Sequence, residues 1–145
     1  MRCSTKHKLI QYKCRTRDPC RLAVYLNINV VYKEYLPNTK GFYIKTLRNK
    51  FIVINNTLDE ISQRIVSAHE LGHAILHSSA PICFIREYTL FPIGPYEIEA
   101  NNFAAELLID DHDVREMRYE SNSYIAGILG VNEELVEYKL GSNHC

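Results

Sequence analysis

The sequence predicts an α+β fold: a short helix, a small antiparallel sheet of three strands, and then a run of helices that supplies most of the core. Three observations lead there. β-Branched and aromatic residues gather in three short runs between Ile28 and Asn55, and the apolar period turns from strand-like to helical after Thr57. No repeat, low-complexity tract or Pro/Gly-rich linker divides the 145 residues. A chain this long amounts to about one domain and can bury a core without staples. Residues 1–145 are therefore expected to form one domain, with a ragged basic start over 1–17 and C-terminal helices over 111–145.

Each element has its own signal. In "DPCRLAVYLN", Asp18 is a candidate N-cap and Pro19 suits the first helical position, with Leu22, Ala23 and Leu26 on one side. "INVVYKEYL", "GFYIKTL" and "KFIVIN" read as strands, separated by the turn-forming "PNTKG" and "RNK". "FIVIN" is read either as an edge strand, with backbone groups open to an extended peptide, or as an interior, packed strand. "TLDEISQRIVSAHELGHAILH" is the strongest helix: Thr57 and Glu60 have capping-box spacing, and Leu58, Ile61, Ile65, Ala68, Gly72 and Ile75 recur at helical intervals. Pro81, Pro92, Gly94 and Pro95 mark a loop, after which "YEIEANNFAAELLI" is helical again. "DHDVREMRYE" and "SNSYIAGILGVNEELVEYKL" supply further helices, the last two joined near Gly130.

Composition excludes several classes. Seventeen Lys and Arg balance seventeen Asp and Glu, so the basic footprint of a phosphate-binding protein is missing. The five cysteines, Cys3, Cys14, Cys20, Cys83 and Cys145, are odd in number and include no CxxC pair. They read as free thiols in a reducing compartment, which points to the cytoplasm. The basic opening "MRCSTKHKLIQYKCRTRD" lacks a signal-peptide core, and no stretch is apolar enough to span a membrane.

The chemistry lies in "IVSAHELGHAILHSS". His69 and His73 stand four apart on one helical face, roughly 5–6 Å apart at Cβ, close enough to share an ion. Glu70, one residue round, occupies the HExxH position that takes a proton from an activated water. Apolar neighbours turn the pair inward, where an unpartnered imidazole is costly. Gly72 leaves room for close backbone approach, although in a helix it costs about 1 kcal/mol against alanine and so calls for some reason. A third ligand is needed. His77 lies about 12 Å along the helix from His69, out of reach of one ion, and is expected to sit at the helix C-terminus, against the dipole.

"YEIEANNFAAELLI" offers the better ligand. Ala100, Phe103, Ala104, Leu107 and Leu108 form its apolar stripe, and Glu97 extends that stripe one turn earlier. Glu99 lies on a different face, so one rigid helix cannot present both carboxylates to one ion. His69, His73 and Glu97 make a two-histidine, one-carboxylate set suited to Zn2+, and Asn101, four after Glu97, is placed either to hydrogen-bond a ligand or to serve in helix packing. Tyr43 and Tyr96 are candidate donors to an oxyanion.

These paired motifs, "NNTLDEISQRIVSAHELGHAILH" and "EIEANNFAAELLI", resemble the ImmA/IrrE metallopeptidases, and "DPCRLAVYLNINV" and "GFYIKTLRNKFIVIN" extend the likeness over most of Asp18 to Ile109. The resemblance implies a zincin-like minimal metallopeptidase. Zinc would be held by His69, His73 and Glu97, the first glutamate of an E-x-x-A-N motif, with Glu70 as catalytic base. It also implies an anti-repressor protease of mobile elements or a stress regulator, whose substrate is a helix-turn-helix repressor. Asp110 departs from the pattern, where a proline is common. Two other readings are a zinc-binding regulator that grips a repressor without cutting it, and a DNA-binding regulator built on "SYIAGILGVNEELVEYKL". Glu133, Glu134 and Glu137, opposed by Lys139 alone, would repel phosphates in the latter.

Overall fold

The computed structural model describes residues 15–77 and 94–142. The expected opening segment up to residue 14, the loop around Pro81 and Pro92, and four of the cysteines lie outside them; Cys20 is a free thiol. The described elements are, in order, α1 (Pro19–Tyr25), β1 (Ile28–Lys33), β2 (Gly41–Lys45), β3 (Lys50–Asn55), α2 (Glu60–Leu76), α3 (Pro95–Leu108), α4 (Asp111–Glu116), α5 (Asn122–Leu129) and α6 (Glu133–Ser142). This is the α+β class, and one buried cluster runs from Leu22 through the sheet to Val136.

α1 forms as its sequence predicts. The Asp18 carboxylate accepts from the Cys20 N–H, Pro19 takes the first turn, and Leu22 and Ala23 are buried. The three strands are also present, but the sheet is mixed, with order β1-β3-β2. β2 and β3 form the expected antiparallel hairpin, closed by the Thr46 N–H donating to the Asn49 carbonyl at 2.8 Å. β1 instead runs parallel to β3. The antiparallel expectation fails there because the segment after β1 crosses over the position of β3 before β2 begins. Asn55, fully buried, holds that crossover: its Nδ2 donates to the carbonyls of Thr39 at 2.8 Å and Tyr35 at 3.1 Å, while its Oδ1 accepts from the Thr57 hydroxyl at 2.7 Å.

β3 is consequently the central strand, and the reading of "FIVIN" as an edge is overturned. Ile52, Val53 and Ile54 are buried, as befits a strand with a neighbour on each side. The edges belong to β1 and β2.

α2 starts two residues later than a Thr57 cap would place it. Thr57 is engaged by Asn55, and Asp59 caps the helix, its carboxylate accepting from the Ser62 N–H at 2.8 Å and the Ser62 hydroxyl at 3.0 Å. These bonds hold the Asp59 carboxyl below its ordinary range. The buried run of α2 is Val66 to Ala74, whereas Leu58, Ile61 and Ile65, expected on the core stripe, line a cleft.

α3 packs against α2 through the predicted stripe of Ala100, Phe103, Ala104, Leu107 and Leu108. The reason for Gly72 is Phe103: a β-carbon at position 72 would meet the Phe103 side chain at 3.1 Å. Asp110, in place of the commoner proline, caps α4 by accepting from the His112 N–H and also pairs with Arg17 at 2.8 Å. Gly130 ends α5 in the left-handed region at φ 65°, and the Asn132 side chain then caps α6. Within α6, Lys139 is buried and pairs with Glu106 at 2.9 Å and with Asp111. Among the described residues no helix is long and apolar enough to cross a membrane.

Two outcomes follow. Asn55→Ala strips the crossover carbonyls of their donor, so urea denaturation should show a loss of about 3 kcal/mol. The Asp59 carboxyl is lowered on folding, so its contribution is complete above the ordinary carboxylate value and vanishes as pH falls through the lowered one. Asp59→Ala should therefore melt below wild type at neutral pH, with the gap closing in acid.

Candidate active site

α2 carries three histidines one turn apart, and all are buried. Their environment comes from α3. Glu97 lies in the first turn of α3, where a carboxylate is favoured by the helix dipole, and α2–α3 packing carries it over the histidine face. Its Oε2 lies 3.3 Å from His69 Nε2 and its Oε1 lies 3.1 Å from His73 Nε2. Every pair of ligand atoms in this trio falls within 4.8 Å. Two ligands about 2.0–2.1 Å from a tetrahedral ion stand about 3.3 Å apart. The trio thus has both the donor chemistry and the spacing to hold a metal ion. Three protein ligands leave one tetrahedral position open.

Glu70 is 1% exposed and shares with His69 and Glu97 a cleft of about 290 Å³. Leu58, Ile61 and Ile65 of the α2 side and Leu135 of α6 give the cleft an apolar wall, and Asn101 and Tyr138 add polar groups. A carboxylate so enclosed costs several kcal/mol to keep charged unless it faces positive charge, which an ion at the histidines would supply.

His77 and Glu99 are the residues that sequence reasoning set aside. His77 caps the C-terminus of α2 as expected, out of the ion's reach, but its Nδ1 lies 2.9 Å from His73 Nδ1 and its Nε2 lies 2.9 Å from Glu99 Oε2. If His73 ligates through Nε2, its Nδ1–H donates to His77 Nδ1, and His77 Nε2–H donates to Glu99. A single tautomer of each ring satisfies the chain, so Glu99 reaches His73 only through the His77 imidazole. The spacing of His69, His73 and His77, each four apart, was the signal: it puts His77 one turn from His73, within hydrogen-bond range of its outer nitrogen.

The remaining candidates are dispersed. Asn101 lines the cleft, and its Nδ2 donates to the Tyr138 hydroxyl at 3.1 Å. Tyr43 sits on the face of β2 turned towards the core, where burial raises its phenol; among the described residues its hydroxyl has no hydrogen-bond partner. Tyr96 is half exposed, its ring 4.5 Å from that of His77. Neither Tyr43 nor Tyr96 lines the cleft, while Tyr138, which sequence reasoning did not single out, does.

Residues 23–141 match the profile of a peptidase family described as the IrrE N-terminal-like domain. The chain is also similar to the uncharacterized immunity region protein 2 of Bacillus phage phi105, at 43% identity over 131 residues, which cover 88% of this chain and 82% of that protein. No solved structure matches it. The two-histidine helix, the facing carboxylate and the profile that spans both agree: the chain belongs to the IrrE N-terminal-like family of metallopeptidases.

Proposed function

We propose that this protein is a zinc-dependent endopeptidase that cuts one peptide bond in a protein substrate, a helix-turn-helix transcriptional repressor. The observation that carries the reading is the trio of His69, His73 and Glu97 beside a buried Glu70 in an accessible cleft. His69, His73 and Glu97 would hold the ion. Zinc held there would lower the pKa of a water and polarise the scissile carbonyl. Glu70 would take a proton from the attacking water as its oxygen adds to the carbonyl carbon, and return it to the amine nitrogen as the C–N bond breaks. His77 and Glu99 keep the His73 ring in one orientation throughout.

A peptide must lie extended beside α2 for this geometry to work. Lys40, directly before β2, lines the cleft, so the outer edge of β2 is the nearest backbone to which a substrate strand can add. Such a strand comes from an exposed, flexible segment of the target. A repressor is supported by the phage immunity-region relative. A protein partner is favoured over nucleic acid because α6 exposes Glu133, Glu134 and Glu137 while its Lys139 is buried in an ion cluster. The cysteine content and the absence, among the described residues, of a membrane-crossing helix suit work in the cytoplasm.

Metal binding separates the two glutamates of α3. Glu97→Ala should lose stoichiometric zinc, whereas Glu99→Ala should retain it with affinity lowered about 10–100-fold, as competition with a chromophoric chelator will show. Equal zinc affinity in the two variants would remove Glu97 from the ligand set. For activity, the test is the intact mass of a repressor encoded beside this gene, incubated with zinc-loaded wild type and with Glu70→Gln. Cleavage by wild type and its loss in Glu70→Gln, with zinc content unchanged, is the expected result. Co-elution of the two proteins without cleavage by either would replace the protease with a non-cutting binder.

A further inference from the structure

Hydrolysis at this site, on the reading proposed above, needs a hydrogen-bond donor where the carbonyl oxygen becomes an oxyanion. The residues that ligate or take the proton cannot supply it. The structure instead brings a phenol from the C-terminal helix to the same cleft. Tyr138 of α6 lines it together with His69, Glu70, Glu97 and Asn101. Asn101 stands one helical turn beyond Glu97 on α3, and its Nδ2 donates to the Tyr138 oxygen at 3.1 Å. An amide nitrogen can only donate, so this bond occupies a lone pair of the phenol and turns the phenol hydrogen away from Asn101.

We propose that Tyr138 is a catalytic residue that donates its phenol hydrogen bond to the oxyanion, and that Asn101 is the positioning residue that aims it. The hydrogen remains on Tyr138 throughout; only a hydrogen bond is made, and it strengthens as negative charge gathers on the substrate oxygen.

Three features of the fold support the assignment. Lys139, the next residue, is buried against Glu106 of α3 and Asp111 of α4, which locks the turn of α6 that carries Tyr138. Leu135 of the same helix forms part of the apolar wall, so the donor acts in a partly water-excluded space where a hydrogen bond to charge is stronger. Among the described residues, Tyr43 lies inside the core and Tyr96 packs against the His77 ring, and neither lines the cleft.

The test uses the full zinc-loaded chain and Tyr138→Phe, which removes one oxygen and leaves the packing. Two readouts are needed: kcat and KM on the cleaved repressor, and calorimetric affinity for a blocked dipeptide phosphonamidate, whose tetrahedral P–O group imitates the oxyanion. The expected result is kcat lower by about 10²–10³-fold with KM within about twofold, unchanged zinc content and melting temperature, and a matching loss of phosphonamidate affinity. Asn101→Ala should lower kcat by less, and the double variant should be no slower than Tyr138→Phe alone, because the amide acts only through the phenol. A wild type that cleaves and a Tyr138→Phe variant within threefold of it in kcat and phosphonamidate affinity would overturn the assignment and leave the protease standing. A fall in melting temperature together with equal losses in kcat and KM would make Tyr138 a packing residue. If zinc-loaded wild type neither cleaves nor binds the phosphonamidate, the protease reading fails and the oxyanion role fails with it.

Discussion

The site depends on the contact between Gly72 and Phe103. Three ligand atoms from two helices must meet within the reach of one ion, and helix axes can approach only as closely as the side chains between them allow. Removing the β-carbon at position 72 lets the Phe103 ring lie directly on the α2 backbone, in the middle of the HExxH segment. Alanines on the facing side of α3, Ala100 and Ala104, keep the approach close. Glu97, one and two turns before them, is thereby delivered to His69 and His73 at 3.3 and 3.1 Å. The glycine that is a poor helix former in isolation is thus the residue that lets Phe103 sit this close, where a β-carbon would push it back by a few tenths of an ångström.

Burying three imidazoles and a glutamate in one helix segment is costly unless each finds a partner. The structure answers with a continuous polar chain, Glu97 to His73 to His77 to Glu99, in which the two carboxylates of one helix grip opposite ends of a histidine pair on the other. Two glutamates two residues apart point in different directions, and that divergence is what the arrangement uses. One carboxylate meets the His69 and His73 rings and the other closes the far end on His77.

The C-terminal helices complete the cleft rather than extend the core alone. Asp110 caps α4 and pairs with Arg17, and the Lys139 cluster ties α6 to the end of α3 and the start of α4. Leu135, Tyr138, Asn132 and Glu134 then line the cleft opposite the apolar residues of α2. A pair of helices joined at a left-handed glycine has the outline of a helix-turn-helix, but here it buries its cation, exposes its acids and forms one wall of the cleft.

Local sequence determined what depends on local physics. Asp18 and Pro19 start α1, the HExxH spacing puts two imidazoles on one face, the apolar stripe of α3 turns Glu97 inward, and Gly130 ends α5; each follows from periodicity or capping within a few residues. The paired motifs identified the family because both lie in one readable stretch of chain. What only the tertiary structure decided involves partners distant in sequence. The parallel pairing of β1 with β3 follows from the crossover held by Asn55, and a strand pattern does not encode strand order. Asp59, not Thr57, caps α2, while Thr57 turns its hydroxyl and its N–H to the buried Asn55. The roles of His77 with Glu99 and of Asn101 with Tyr138 join residues 22 and 37 positions apart. Helical spacing says which way a side chain points and nothing about what another element brings to meet it.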